Sequence, residues 1–180
     1  KKKIVCLHVR DHYFYKDKNR RNFRNSNINN YIPSIKYLIN KGFTVVRMGN
    51  SKSRKINFSN NNFFQYNFSK INSPLLDIFL IKNCALYIGT SSGPVDLSFM
   101  FKKPTLITNA VDIHWGFPRN KYDRMIMKKI YYKGKKLKIG EFIKLKYSFH
   151  DPVLIGNILK YKENSEKEIL RSTIKFFQIV

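Results

Sequence analysis

Short apolar segments alternate along the chain with segments whose apolar side chains recur at helical spacing. The predicted strands span residues 3–9, 43–48, 63–68, 85–88 and 104–108. The predicted helices lie between them, around residues 32–39, at 74–83 and at 94–101. Because strands and helices in regular alternation form a parallel sheet covered by helices on both faces, the pattern predicts an α/β, Rossmann-like fold. We expect residues 1–180 to form one such unit.

Local signals place several helix ends. Ser73 followed by Pro74 is typical of an N-cap and first helical position, and we expect Leu75, Leu76, Phe79 and Leu80 of that helix to face the core. Ser165 and Glu168 form the pattern of a capping box, which predicts a C-terminal helix at about 165–178. A short helix is predicted at 140–146, whereas residues 109–138, including Trp115, show no clear pattern.

The charge of the chain is strongly positive. Lys and Arg number 35 against 11 Asp and Glu, for a formal net charge of +24. Such a surface attracts phosphate-bearing partners, namely nucleic acid, anionic lipid or nucleotide-sugars. The excess of Lys, Asn, Ile, Phe and Tyr is equally consistent with AT-rich codons, so charge alone selects no partner. For lipid contact, the best candidate patch is Lys128, Lys129 and residues 133–138.

Other sequence features bound the class of protein. No segment approaches 18 consecutive apolar residues, so no membrane-spanning helix is expected. Cys6 and Cys84 belong to no CxxC pair, and with no signal peptide in the sequence we expect reduced thiols and a cytoplasmic protein. The four histidines, at positions 8, 12, 114 and 150, show no spacing typical of a zinc site.

Unusual polar residues stand where two predicted strands end. Arg10 follows the first strand, where its guanidinium could donate two parallel hydrogen bonds to a pyrophosphate. His8 alternates with Arg10 and so points to the same side, and Arg47 occupies the equivalent place on the next strand. Because ligands of open parallel sheets bind at the carboxyl ends of strands, these residues are candidates for a site. A surface arginine paired with Asp11 and a structural histidine are the simpler alternatives.

A small, hydroxyl-rich loop joins the strand at 85–88 to the following helix. It consists of Gly89, Thr90, Ser91, Ser92 and Gly93. The first backbone N–H groups of a helix have no internal partner, and together with the helix dipole they form an anion site. The glycines would let a phosphate approach the backbone, and the hydroxyls would donate to it. The alternative is a plain turn with Gly93 as N-cap and Asp96 as partner of the dipole.

These residues carry a resemblance to a known family. The segments 8–11 (HVRD) and 84–104 (CALYIGTSSGPVDLSFMFKKP) resemble two motifs of the GT-B fucosyltransferase superfamily, which contains the alpha-1,6- and protein O-fucosyltransferases. Residues 24–50, 75–94 and 164–170 resemble patterns of bacterial putative glycosyltransferases associated with surface polysaccharide loci. The resemblance extends over most of the chain.

The resemblance implies roles for individual residues. Arg10 would hold the β-phosphate of a nucleotide-sugar donor, His8 would contact the nucleotide, and Thr90, Ser91 and Ser92 would bind the diphosphate. Arg and helix N-termini would then stabilise the leaving diphosphate without a metal ion, and removal of one such group typically costs about 10²–10³ in rate. No further cofactor is expected, and a GDP-linked sugar is the candidate donor.

The same resemblance implies partners and missing parts. A GT-B enzyme has two Rossmann-like domains, so we expect this chain to be the C-terminal, donor-binding half, with an acceptor domain upstream. The acceptor would be a glycan or a lipid-linked glycan, which is compatible with peripheral contact with the inner face of an anionic membrane. Asp11 is the nearest carboxylate and the candidate general base.

A non-enzymatic, nucleic-acid-binding α/β domain is the alternative function. It would use the positive charge and the aromatic residues that stand near basic ones, namely Phe14, Tyr15, Phe23 and Tyr31. The sequence contains no recognised DNA- or RNA-binding motif, and these aromatic side chains would equally suit a core.

Overall fold

A computed structural model describes residues 3–13, 22–111, 117–145 and 158–180. Within these ranges, six parallel strands form the larger sheet in the order β3-β2-β1-β4-β5-β6. Its strands are β1 (Ile4–His8), β2 (Thr44–Met48), β3 (Phe63–Phe64), β4 (Leu86–Thr90), β5 (Thr105–Ala110) and β6 (Arg124–Met127). Trp115, His114, His150, Phe14 and Tyr15 lie outside the described residues.

Helices cover both faces of this sheet. On one face, α1 (Ile32–Asn40) and α5 (Glu166–Ile179) pack on a core that includes Val5, Leu7 and Val45. On the other face, α2 (Pro74–Asn83) and α3 (Gly93–Met100) pack on a second core that includes Cys6 and Ile107. The predicted α/β, Rossmann-like architecture is therefore confirmed.

Capping signals in the sequence mark the helix ends correctly. The hydroxyl of Ser73 accepts the amide proton of Leu76 at 3.3 Å and starts α2. At the start of α5, Glu168 Oε2 accepts the Ser165 amide proton at 2.9 Å, and the Ser165 hydroxyl accepts from the Glu168 amide at 3.4 Å. This is the predicted capping box. After α1, Gly42 has a φ of +85°, a left-handed conformation that glycine adopts without cost.

The predicted core face of α2 is wrong for two of its four residues. Leu75 is 78% exposed and Phe79 is 59% exposed, whereas Leu76 and Leu80 are half-buried and Ile81 is the side chain of α2 that is fully buried. Because α2 is apolar on nearly all sides, helical periodicity could not select one face. The structure thus leaves an apolar stripe of α2 at the surface.

A second, antiparallel sheet follows the first and was not predicted. Its strands are β7 (Lys129–Tyr132), β8 (Lys135–Lys136) and β9 (Leu159–Lys162), in the order β8-β7-β9. Lys133 and Gly134 join β7 to β8 with φ values of 48° and 80°, as a tight hairpin turn requires. The short helix α4 (Ile139–Lys144), predicted at 140–146, packs Phe142 against this sheet.

A buried polar network joins the C-terminal part of the chain to the sheet. The hydroxyl groups of Tyr31 and Thr108 are 2.6 Å apart, and Asn109 Nδ2 donates to the Tyr31 hydroxyl at 3.1 Å. Asn109 and Asn164 exchange two amide hydrogen bonds, of 2.8 and 2.6 Å. Burial raises the pKa of Tyr31 to about 12. Tyr31 therefore belongs to the core and is not available to stack on a nucleic-acid base.

Phe23, the other described aromatic residue of the nucleic-acid alternative, packs on Tyr161 of β9 with ring centroids 5.2 Å apart.

In the described parts of the chain, no helix combines the length and apolar character needed to cross a bilayer.

Candidate functional site

The order of the strands fixes where a ligand can bind. From β1 the chain proceeds to β2 and β3 on one side, and β4, β5 and β6 lie on the other side of β1. This reversal between β1 and β4 is a topological switch point, where loops diverge and leave a crevice beyond the carboxyl ends of the strands. A cavity of about 510 Å³ lies there. Its lining includes residues of three strand ends and of two helix starts, namely His8, Arg10, Asp11, Met48, Gly49, Asp77, Ser92, Gly93 and Pro94.

Arg10 lies at the tip of β1 and is held from several directions. Its backbone N–H donates to Thr90 Oγ1 at 2.9 Å, and its carbonyl oxygen accepts from the Ser26 amide at 2.9 Å. Its Nε donates to Asn25 Oδ1 at 3.0 Å. The side chain is 6% exposed and lines the cavity. Arg10 is therefore a largely immobilised, positively charged residue that lines the cavity.

The start of α3 opens on the same cavity. The helix begins at Gly93 with Ser92 as N-cap, so the alternative of Gly93 as N-cap is wrong. The Ser92 side chain makes no capping hydrogen bond, and its hydroxyl donates to the Thr90 carbonyl oxygen at 3.1 Å. A Cβ added to Gly93 would meet no atom within 4 Å. The N-terminal turn of α3 thus lacks a side-chain cap and has open space beside it.

His8 lines the cavity as a neutral imidazole. Burial, and then the positive charges of Arg47 and Arg10, lower the pKa of His8 to about 4. Its Nδ1 lies 3.0 Å from the Ser92 hydroxyl. Since that hydroxyl has one proton and donates it to the Thr90 carbonyl, His8 Nδ1 is the donor and Nε2 is left as an acceptor. At neutral pH, His8 offers a ligand a hydrogen-bond acceptor and no charge.

Asp77 is a cavity residue that the sequence analysis missed. It lies in the first turn of α2, and burial raises its pKa to about 6. Its Oδ1 is buried and has no hydrogen-bond partner among the described residues. No pattern in the sequence distinguishes this carboxyl from an ordinary acidic residue near a helix N-terminus, because its environment depends on how α2 packs. In the described parts of the chain, no group of three His, Cys, Asp or Glu side chains could hold a metal ion.

Arg47 does not line the cavity, contrary to expectation. It extends from the face of β2 that carries Val45, opposite to the face of Met48 and His8, and is 1% exposed. Its Nη1 donates to Gln65 Oε1 at 3.0 Å, and its Nη2 lies 3.9 Å from Asp11 Oδ2. Burial lowers the pKa of Arg47 to about 10. Arg47 therefore influences the site in two ways. Its positive charge lowers the pKa of His8, and its ion pair holds Asp11.

Both carboxylate oxygens of Asp11 accept backbone protons. Oδ1 accepts from the Tyr13 amide at 3.2 Å and Oδ2 from the Arg54 amide at 2.9 Å, and the side chain is 4% exposed. These contacts join the end of β1 to the loop that follows β2. They support a structural role for Asp11, and they give no support to its expected role as general base.

Three residues of the hydroxyl-rich loop lie behind the cavity wall. A Cβ on Gly89 would lie 2.5 Å from the His8 carbonyl oxygen, so this glycine serves the close approach of β4 to β1. Thr90 is fully buried, and its hydroxyl accepts from the Arg10 amide. Ser91 is 6% exposed, and its carbonyl oxygen accepts from Arg24 Nη2 at 2.8 Å. Of the five predicted loop residues, Ser92 and Gly93 line the cavity.

The segment after β1 connects the end of β1 to the loop before α3, a role that the sequence did not predict. Arg24 reaches Ser91 and Asn25 holds Arg10, so two consecutive residues join the end of β1 to the loop before α3. Lys128 donates to the Asn25 carbonyl oxygen from a buried position, and burial lowers the pKa of Lys128 to about 8. Lys128 is therefore no part of a surface patch, contrary to expectation. An arginine and an asparagine in a segment without periodicity gave no signal of this role.

No family model matches this chain, and no curated protein matches it. Several solved structures share its fold. One is E. coli ADP-heptose LPS heptosyltransferase II, with a TM-score of 0.58, 12% identity, and coverage of 99% of this chain and 47% of that one. The fold resembles part of a glycosyltransferase.

Two further solved structures, both of glycosyltransferases, have a fold similar to that of this chain. A glycosyl transferase family 9 protein from Veillonella parvula DSM 2008 has a TM-score of 0.55 at 9% identity, and it covers 99% of this chain and 47% of its own. The iron-containing dodecameric glycosyltransferase TibC of enterotoxigenic E. coli H10407 has a TM-score of 0.50 at 12% identity. The match covers 98% of this chain and 45% of the TibC chain. The chain thus spans a little under half the length of each. At these identities the likeness shows the fold, and the fucosyltransferase part of the resemblance stays a prediction.

Proposed function

We propose that the cavity beyond β1, β2 and β4 binds the diphosphate of a nucleotide-sugar, and that this chain is the donor-binding part of a glycosyltransferase. One observation carries the proposal. Arg10 and the uncapped N-terminal turn of α3 line the same cavity at the switch point of the sheet. The shared fold with glycosyltransferases and the net charge of +24 are consistent with it.

The proposed chemistry follows from the charge that develops in the reaction. When the bond between the sugar and the diphosphate breaks, negative charge accumulates on the leaving phosphate oxygens. A fixed guanidinium and oriented backbone N–H groups stabilise such charge without reorganising. Arg10 and the first turn of α3 would supply these groups, in the role that a metal ion has in other transferases. The acceptor, a glycan or lipid-linked glycan in this proposal, would be held by a part of the enzyme beyond these 180 residues.

Two further cavity residues would contact the uncharged parts of the donor. His8 offers an acceptor at Nε2, and Asp77 offers a carboxyl whose buried oxygen has no hydrogen-bond partner among the described residues. Both would accept hydrogen bonds from sugar or ribose hydroxyl groups. A donor with a GDP moiety remains our candidate, by the resemblance of the sequence motifs to the fucosyltransferases.

Direct binding tests the proposal, because binding does not require the acceptor. Isothermal titration calorimetry of the chain with GDP, UDP, ADP and CDP, and with the corresponding nucleotide-sugars, should reveal at least one ligand. Arg10→Ala should weaken its binding roughly ten- to hundredfold, since hydrogen bonds to charged groups contribute about 1.5–3 kcal/mol. The matched control is Arg171→Ala, which removes an exposed arginine of α5 and should leave affinity unchanged.

Two results would contradict the proposal. One is a wild-type chain that binds none of these compounds at millimolar concentration. The other is an Arg10→Ala chain that is folded, by circular dichroism, and binds as tightly as Arg171→Ala.

A further inference from the structure

The small antiparallel sheet and α4 form a cationic surface with an apolar centre. Four of its lysines are exposed within a few residues of one another, and α4 leaves two isoleucines uncovered. We call this surface the α4 face and define it by Lys133, Lys135, Lys136, Lys138, Ile139, Ile143 and Lys144. Ile139 is 56% exposed and Ile143 is 52% exposed.

The two isoleucines lie four residues apart on α4 and therefore on the same side of the helix. The opposite side is anchored, because Phe142 is 2% exposed and packs with Ile130 and Leu159. One side of α4 thus packs on the small core formed with Ile130 and Leu159, whereas its two isoleucines face outward. They form a compact apolar stripe on a fixed support.

Within the segment 128–145, which carries this stripe, every charged residue except Glu141 is a lysine. Glu141 is the acidic residue of the segment 128–145, and it is already engaged. Its Oε1 lies 3.1 Å from Lys135 Nζ, and its Oε2 accepts the Lys138 amide proton at 2.7 Å. These contacts lower the pKa of Glu141, so it remains an anion paired within the face. The lysines that flank the isoleucines are left to act on an external partner.

We propose that the α4 face docks on the surface of an anionic phospholipid bilayer. Lysines attract acidic headgroups, and aliphatic side chains gain free energy by entering the acyl boundary beneath them. A polynucleotide would satisfy the lysines but not the isoleucines, since unpaired bases stack on aromatic or guanidinium planes. This inference is independent of the proposed function of the cavity.

Vesicle co-sedimentation tests the docking. We expect the chain to bind vesicles of phosphatidylcholine and phosphatidylglycerol in equal amounts, and not to bind vesicles of phosphatidylcholine alone. Binding should weaken as salt rises, because the attraction of the lysines is screened. The combined change Ile139→Ser with Ile143→Ser should reduce the partition coefficient about tenfold. Lys136→Glu with Lys138→Glu should reduce it by about thirtyfold or more.

The chain offers a matched control for each double variant. Leu75 and Phe79 also lie four residues apart and exposed on a helix, so Leu75→Ser with Phe79→Ser removes at least as much exposed apolar surface elsewhere. Lys55→Glu with Lys70→Glu changes the net charge by the same amount at exposed positions outside the α4 face. Neither control should weaken vesicle binding by more than about twofold, because charges beyond the membrane surface act only within a Debye length.

The proposal fails if the control variants lose as much binding as the α4-face variants, since the effect would then reflect overall charge or stickiness. It also fails if the isoleucine variant binds like the wild type, which would assign the face to a polyanion such as RNA. Thermal unfolding of each variant confirms that it is folded before it is compared.

Discussion

Gly89 lies in β4 and Gly93 starts α3 four residues later, and alanine at these two positions should have opposite consequences. At Gly89 the new methyl group would lie 2.5 Å from the His8 carbonyl oxygen, about 0.9 Å closer than the shortest ordinary contact of 3.4 Å. It would also lie 3.0 and 3.1 Å from two atoms of the Tyr87 side chain. The oxygen belongs to β1, which is paired with β2 and β4 on either side and cannot retreat.

Overpacking of this kind typically costs 1–3 kcal/mol, and we expect about 3 kcal/mol for Gly89→Ala because a backbone atom is the obstacle. For a chain of this size, that corresponds to a Tm about 6–12 °C lower. Gly93→Ala meets open space and should change the Tm by less than about 2 °C. It should nevertheless weaken nucleoside diphosphate binding, because its methyl group occupies the approach to the α3 N-terminus.

Differential scanning calorimetry of both variants, followed by titration of Gly93→Ala with the ligand of the wild type, provides the measurement. The reasoning is refuted if Gly89→Ala is as stable as the wild type. It is equally refuted if Gly93→Ala unfolds as early as Gly89→Ala, since the two positions would then not differ in packing.

Three further predictions concern protonation, a buried hydroxyl and the thiols. The free energy of unfolding of the wild type minus that of His8→Gln should rise with pH between about 4 and 6.5. Unfolded His8 binds a proton in that range and folded His8 does not, so the slope approaches about 1.4 kcal/mol per pH unit; a flat difference in urea unfolding would contradict it. Tyr31→Phe should lower stability by about 1–3 kcal/mol, because it leaves buried partners unsatisfied, whereas exposed Tyr122→Phe should be neutral; equal Tm values would count against this. Cys6 and Cys84 are buried, and the pKa of Cys6 is raised by its hydrogen bond to Cys84 and by burial. Both thiols should therefore react with Ellman's reagent only in denaturant. Prompt reaction of the native chain would disprove this prediction.

Much of the fold could be predicted because its strands are short apolar runs bounded by turn residues. Gly42, Ser73 and Ser165 punctuate helices in ways that local physics dictates. The antiparallel sheet could not be found in this way. Its strands are two to four residues long and rich in lysine, so neither length nor alternation marks them. The exposed side of α2 could not be predicted for a different reason. Apolar side chains lie on nearly all sides of this helix, so the spacing of apolar residues does not indicate which side faces the core.

The candidate site was partly predictable from one topological rule. Arg10 and Ser92 stand at the carboxyl ends of β1 and β4, and the rule brings such residues together wherever the chain reverses. The rule does not say on which face of a strand a side chain emerges, and Arg47 was misplaced for that reason. Asp77 and Arg24 became part of the site through the packing of α2 and of an irregular segment, which sequence periodicity does not record.

The support of Arg10 has a consequence for how the site comes into being. Two of its hydrogen-bond partners, Asn25 and Thr90, stand 15 and 80 residues away along the chain. Contacts between residues so far apart in sequence form only once the intervening loops have closed, and this closure costs conformational entropy. We therefore expect the support of Arg10 to be absent from a chain in which β1 and β4 have not yet paired. Under the proposed function, a nucleoside diphosphate bound in the formed cavity would stabilise the native chain, so we expect nucleotide in a purification medium to raise its Tm.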